Sequence, residues 1–257
     1  MTTQVQNIQN DAKNEVAITS NWNNLYILGG ASALLIVLTG LAEIIITFFP
    51  GGYSVTETVV DWFTLLQDNP FLGLRNLGLL NIIMVAFGIP LFLALYAAHR
   101  KVNQPFAALA TVIAFIGIAV FYGTNRAFPM LTLSSSYAAA STEVQRTMIE
   151  AAGQALLSVG QSHTPGTFMA FFLAEIADIL MALVMLRGRV FSRWAAFAGI
   201  VGFGCLFTYD ILASFVPALH EATLLLAMVG GIASMIWYIM IAIRLFRLGS
   251  GDPDNVK

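Results

Sequence analysis

Six apolar runs divide this chain of 257 residues, and each is close to the length a helix needs to cross a bilayer: Leu25 to Phe49, Leu77 to Ala98, Phe106 to Tyr122, Phe168 to Leu186, Trp194 to Val216 and Ala222 to Ile243. At 1.5 Å per residue, about 20 residues span the ~30 Å hydrocarbon core. The runs are apolar on every face, which excludes a barrel, whose strands are ~10 residues of strict alternation. Composition agrees. Hydrophobic residues make up 58% of the chain and charged ones 10%, against roughly 25% charged in soluble domains, so a water-solvated globule and a disordered chain are both excluded. The balance of 12 basic and 14 acidic residues lacks the basic surplus of a nucleic-acid binder. The single cysteine, Cys205, rules out an internal disulfide framework. The expected fold is all-α and polytopic, with six transmembrane helices in a lipid bilayer.

The first 24 residues are polar and rich in Asn and Gln. Without a basic start, an apolar core and a small-residue cleavage site they do not read as a signal peptide, and a disordered tail is expected at 1–24, with a second short tail at 249–257. Counting Lys and Arg in the connections gives the orientation. One side collects Lys13, Arg100, Lys101, Arg187, Arg189, Arg193, Arg244, Arg247 and Lys257, and the other only Arg75, Arg126 and Arg146. Both termini are therefore expected to be cytoplasmic, in a plasma or inner membrane.

Two outer connections carry amphipathic stripes. Between Ser54 and Gln67, Val55, Val59, Trp62, Phe63 and Leu66 recur at helical spacing, with Thr56, Glu57, Asp61 and Thr64 facing water. Between Ser141 and Val159, Val144, Met148, Ala152, Ala155 and Val159 share one side and Glu143, Arg146 and Glu150 the other. Each reads as an outer-face helix resting on the bundle or closing over a cavity, with Gly51-Gly52 and Ser162 to Gly166 as turns.

Charges within a span cost several kcal/mol unless paired or wetted. Four carboxylates fall inside the spans. Measured from the outer ends, Glu43 lies about 9 Å deep, Glu175 about 10 Å, Asp210 about 9 Å and Asp178 about 15 Å. Asn81 shares the layer, and Tyr122 and Arg126, four apart, are expected to share a helical face. Glu175 and Asp178, three apart, also share one, and Arg126 is the simplest cation for them. An outward-facing pocket of Glu43, Asn81, Tyr122, Arg126, Glu175, Asp178 and Asp210 is expected, binding a small cationic or hydrogen-bond-donating ligand in a sensing or transport-related role. No cofactor is implied. Two alternatives stand beside it. One is an intramembrane metal-dependent hydrolase, using His163, His220 and Asp210 as ligands, since imidazole and carboxylate suit zinc; no HExxH, CxxC or GxSxG accompanies them. The other is a structural or assembly protein whose polar cluster specifies packing. His99, in the basic turn His99-Arg100-Lys101, is expected to snorkel at the interface. Small residues four apart, Ala195/Gly199, Ala198/Gly202 and Gly230/Ser234, suit a close crossing inside the monomer or in a homodimer.

The stretch MLRGRVFSRWAAFAGIVGFG, preceded by STEVQRTMIEAAGQALL, resembles a prokaryotic family of six-span membrane proteins catalogued as domain of unknown function 4386. In that family a basic turn of the type GxFPRW opens a span; here it reads GRVFSRW, with Ser192 in place of the proline. The resemblance, over roughly Leu25 to Leu248, implies a six-helix membrane protein and brings no activity or site with it.

Overall fold

The computed structural model describes residues 2–48, 58–160 and 163–251. Among them the chain is helical: α1 (Thr2–Phe48), α2 (Val59–Asp68), α3 (Pro70–Asn76), α4 (Leu79–His99), α5 (Gln104–Thr124), α6 (Ala127–Ala139), α7 (Glu143–Leu157), α8 (Phe168–Gly188), α9 (Arg193–Phe215), a 3-10 turn (Pro217–Leu219) and α10 (His220–Gly249). Helix α1 takes in the amino-terminal segment for which composition suggests a disordered tail; its membrane-crossing part is Trp22–Ile46. The other five candidate crossings are α4, the run Gln104–Ala139 through α5 and α6, α8, α9 and the Thr223–Gly249 part of α10, so the protein is an all-α, six-span membrane protein.

The six long helices pack as a closed ring in chain order. Each lies against the next, α1 on α4, α4 on α5, α5 on α8, α8 on α9 and α9 on α10, and α10 returns to α1. Ala33, Leu91, Leu95, Ala114, Met181, Phe203, Trp237 and Ile241 fill its centre. Large apolar side chains such as Leu38, Ile45, Leu225, Met228 and Ile232 cover its outside, the surface a lipid solvent requires. Close crossings depend on small residues. A Cβ on Gly202 would lie 2.7 Å from the backbone nitrogen of Ser234, and one on Gly230 2.9 Å from the carbonyl oxygen of Gly202. These positions are thus used for the α9–α10 contact within the monomer.

At the end bearing both termini, the guanidinium of Arg100 lies 4.0 Å over the Trp22 ring. His99 does not snorkel. It is fully buried, stacked on Phe191 at 5.3 Å, with Nδ1 2.9 Å from the carbonyl oxygen of Leu95, because the α8–α9 turn folds over it. That turn runs through Arg189 in the left-handed region (φ 53°) and restarts at Ser192, whose hydroxyl accepts from the Ala195 N–H at 3.1 Å and caps α9.

At the opposite end, α2, α3, α6 and α7 form a cap with its own apolar core of Val59, Trp62, Phe63, Leu66, Leu77, Ala127 and Met130. Helix α2 presents the stripe its sequence suggests, with Asp61 and Thr64 exposed and a capping box between Thr58 and Asp61; Val55, Thr56, Glu57, Gly51, Gly52 and Ser162 lie outside the described residues. Helix α6 continues from α5 after a break at Asn125 (φ −71°, ψ 132°). Its Ser134 hydroxyl donates to the Phe63 carbonyl at 2.7 Å, and its Tyr137 hydroxyl donates to Glu150 at 2.9 Å. Helix α7 docks the opposite way from the stripe read in its sequence. Ile149, Gly153, Leu156 and Leu157 meet the cap core, whereas Val144 and Met148 are about 70% exposed. The glycine decides this: a Cβ on Gly153 would stand 2.7 Å from Val59 and 2.8 Å from Phe63, so this face allows α7 its closest approach to α2.

Candidate functional site

Between cap and ring lies a cavity of about 200 Å³. Its wall is built from Glu43 of α1, Arg75 and Asn76 of α3, Leu77, Gly78 and Asn81 around the start of α4, Phe121, Thr124, Asn125 and Arg126 around the end of α5, and Gly160, Thr167 and Phe171 around the start of α8. Arg75 is buried and engaged at both terminal nitrogens. One Nη donates to the Glu43 carboxylate at 3.0 Å and to the Glu43 carbonyl at 3.2 Å, and the other donates to Asn76 at 3.0 Å. This clamp ties the cap helix α3 to the end of α1.

Arg126 contrasts with it. It is 7% exposed, and its Nη1 is buried with no hydrogen-bond partner among the described residues. Among the described residues it forms no ion pair, so the bridge to Glu175 and Asp178 expected from sequence is absent. The co-facial pairing with Tyr122 fails for a backbone reason: α5 ends at Thr124, and the turn through Asn125 takes Arg126 out of the helical register. Tyr122 is exposed, and its hydroxyl donates to the Ile82 carbonyl at 3.3 Å, outside the cavity wall.

Of the seven expected pocket residues, the structure brings Glu43, Asn81 and Arg126 together in the wall. The other three carboxylates gather in the ring. Glu175 (6% exposed), Asp178 (6%) and Asp210 (0%) are buried, with Glu175 within Coulombic reach of both aspartates. Asp210 accepts from His163 Nδ1 at 3.1 Å. The His163 ring is inserted between Phe171 and Tyr209, at 4.3 Å and 4.8 Å, so the α7–α8 connection is plugged into α8 and α9. Among the described residues Glu175 Oε2, Asp178 Oδ1 and Asp210 Oδ2 have no hydrogen-bond partner. Since Glu43 alone of the four carboxylates lines the cavity and is held by Arg75, the charge argument for a cationic ligand does not carry to this space.

For the metal alternative, His163 and Asp210 do meet, while the His220 side chain lies outside the described residues. Among the described residues no group of three or more His, Cys, Asp or Glu side chains is placed to hold a metal ion. The sequence places Arg75 and Asn76 just above the polar layer without assigning them to the pocket, and it gives no sign of Gly78, Thr167 or the capping role of α6. The signal for Arg75 was its position one residue before Asn76 at the head of a span; nothing local marks Thr167 as facing the same space.

No curated protein and no solved structure matches the chain. Residues 27–244 match the family described as Domain of unknown function (DUF4386). That match runs from the first crossing to the sixth and covers the ring, the cap and the cavity between them, and the chain belongs to this family.

Proposed function

We propose that the protein binds a small polar molecule in the cavity between cap and ring, in a sensing or transport-related role and not as a hydrolase. The observation that carries this reading is the cavity wall itself, in which polar side chains from four helices and the α7–α8 connection converge on one space. Convergent polar groups in a concavity are the usual mark of a ligand site. A volume of about 200 Å³ equals the share of six or seven waters at about 30 Å³ each, so the fit is to a ligand, or a ligand headgroup, of a few heavy atoms. The test is a thermal-shift screen of the detergent-purified protein against small amines, carboxylates, phosphate, polyols and zwitterions. A ligand of this site raises the melting temperature of the wild type and loses its effect in Asn81→Leu, which fills the cavity from the α4 side. A panel without any shift, or with shifts that Asn81→Leu leaves unchanged, sinks the reading.

The scaffold alternative is supported by one observation, the buried pair of His163 and Asp210, which joins a connection to two spans. On that reading the α8 and α9 carboxylates set packing, and Asp178→Asn and Asp210→Asn lower thermal stability with no change in ligand response. We also place both termini on the cytoplasmic side of a plasma or inner membrane. Support comes from the nine-to-three division of Lys and Arg, and from the burial of two of those three, Arg75 and Arg126, in the cavity wall. Arg146 is then the one exposed basic residue at the cap end among the described residues.

A further inference from the structure

Four features of the cavity wall point to one ligand chemistry. First, its charged side chains are Glu43, Arg75 and Arg126; the first two neutralise each other at 3.0 Å, which leaves the wall with a net charge of +1. Second, the remaining charge, Arg126, is 93% buried and unpartnered at Nη1. A buried cation without a counter-charge is among the costliest arrangements a fold can hold. Third, three helices begin at this cavity, α4 after Gly78, α6 after Arg126 and α8 after Thr167, and in each the cap residue makes no side-chain bond to the first turn. In α6 the Ala127 N–H is satisfied by Asn125 at 2.9 Å; the other two starts have Gly78, which has no side chain, and Thr167, whose hydroxyl bonds Thr164 instead. Helix N-termini carry partial positive charge and unsatisfied N–H donors. Fourth, the wall carries the side-chain amides of Asn76, Asn81 and Asn125, each with an NH2 donor group, while the hydroxyls of Thr124 and Thr167 donate to the carbonyls of Val120 and Thr164.

Resting on the ligand-site reading above, we propose that the occupant of the cavity is an oxyanion, a carboxylate or phosphate group held by the Arg126 guanidinium against the starts of α4 and α8. A guanidinium fork suits two oxygens of such a group, and oriented helix N-termini complete the shell. The oxyanion has two sources, a free small acid or the phosphate of an anionic lipid headgroup at the membrane surface, and they call for different probes.

The experiment uses the full chain in detergent and in vesicles. Melting temperature is measured with sodium phosphate, acetate and, as uncharged and cationic controls, glycerol and choline. The same protein is reconstituted into phosphatidylcholine vesicles with and without phosphatidylglycerol. The expected result is a rise of about 3 °C or more at saturating anion or with phosphatidylglycerol, absent in Arg126→Gln and partly kept in Arg126→Lys. In anion-free buffer Arg126→Gln is expected to melt no lower than wild type, because it relieves an unpaired charge; a purely structural arginine would melt lower on removal. Phosphate or acetate acting without lipid identifies a free acid, and an effect confined to phosphatidylglycerol identifies a headgroup. Stabilisation by choline or glycerol, lost in Asn81→Leu but unaffected by Arg126→Gln, overturns the oxyanion and leaves the ligand site standing. No shift with phosphate, acetate or phosphatidylglycerol overturns the oxyanion, as does an anion response that survives Arg126→Gln. Should Arg126→Gln fail to fold, Arg126→Lys reads the same contact, since an ammonium lacks the two-pronged fork, and an undiminished anion response in it overturns the proposal.

Discussion

Two arginines in one wall show how context, and not residue type, sets a side chain's role. Arg75 spends its terminal nitrogens on Glu43 and Asn76, whereas Arg126 at a helix break has no acceptor for its Nη1 among the described residues. Removing the Arg75 partner should therefore be costly: Glu43→Ala strands a buried guanidinium, and thermal unfolding should show a loss of about 1–3 kcal/mol. His163→Ala likewise leaves the fully buried Asp210 without its donor, and a loss of similar size is expected, larger than for Asp210→Asn, which removes the charge as well. Ser192 offers a cleaner case. Its side chain caps α9, its φ is −66°, and no backbone bond from its own N–H is present. Ser192→Ala should cost about 1 kcal/mol, while Ser192→Pro, which loses the same cap, should recover part of that cost, because proline fixes φ near this value and gives up no backbone hydrogen bond. Urea or thermal denaturation in detergent compares the two. The proline of the related GxFPRW turn and the serine here thus meet the same backbone requirement by different means.

At the scale of elements, glycine positions decide which faces touch. Gly202→Val would push a side chain into the Ser234 backbone, 2.7 Å from the first added carbon, and overpacking of this kind costs about 1–3 kcal/mol or more where backbone must move; the melting temperature should fall accordingly. Gly153→Val acts on the cap alone. Limited proteolysis should cut within α7 or its flanking turns while the ring stays protected, since α7 loses its seat on Val59 and Phe63. The α7 face was misread from sequence for the same reason. Val144, Met148, Ala152 and Ala155 form the more continuous apolar stripe, yet docking followed the residue that lets two helix axes approach. Helix α6 was not legible at all. Its run Leu131 to Ser136 mixes apolar residues with three serines and carries no clear stripe, and it becomes helical against α2 and α7. Helix α2, by contrast, was readable through Trp62, Phe63 and Leu66, because a strong stripe and a capping box lie within one short segment.

For the whole molecule, the ring-and-cap division makes orientation testable. With Cys205 replaced by Ser, Met148→Cys on the exposed face of α7 should react with a membrane-impermeant maleimide in intact cells, and Val102→Cys, exposed in the α4–α5 turn, only after permeabilisation; the reverse pattern would invert the proposed topology. The apolar runs and the scarcity of charge specified the six crossings without help from any contact, because in a lipid solvent a helix is selected by its own length and hydropathy. They also located the polar residues at one end of the bundle, since depth along a helix is a matter of counting. Which of those residues share a space was settled by tertiary structure alone. Rotation about each helix axis, the break at Asn125 and the docking of the cap place Arg75 between Glu43 and Asn76, send Asp210 to His163, and leave Arg126 in one wall with Gly78 and Thr167. The pairings of Arg75 with Glu43 and of Asp210 with His163 join positions 32 and 47 residues apart, and no local pattern in the chain encodes them.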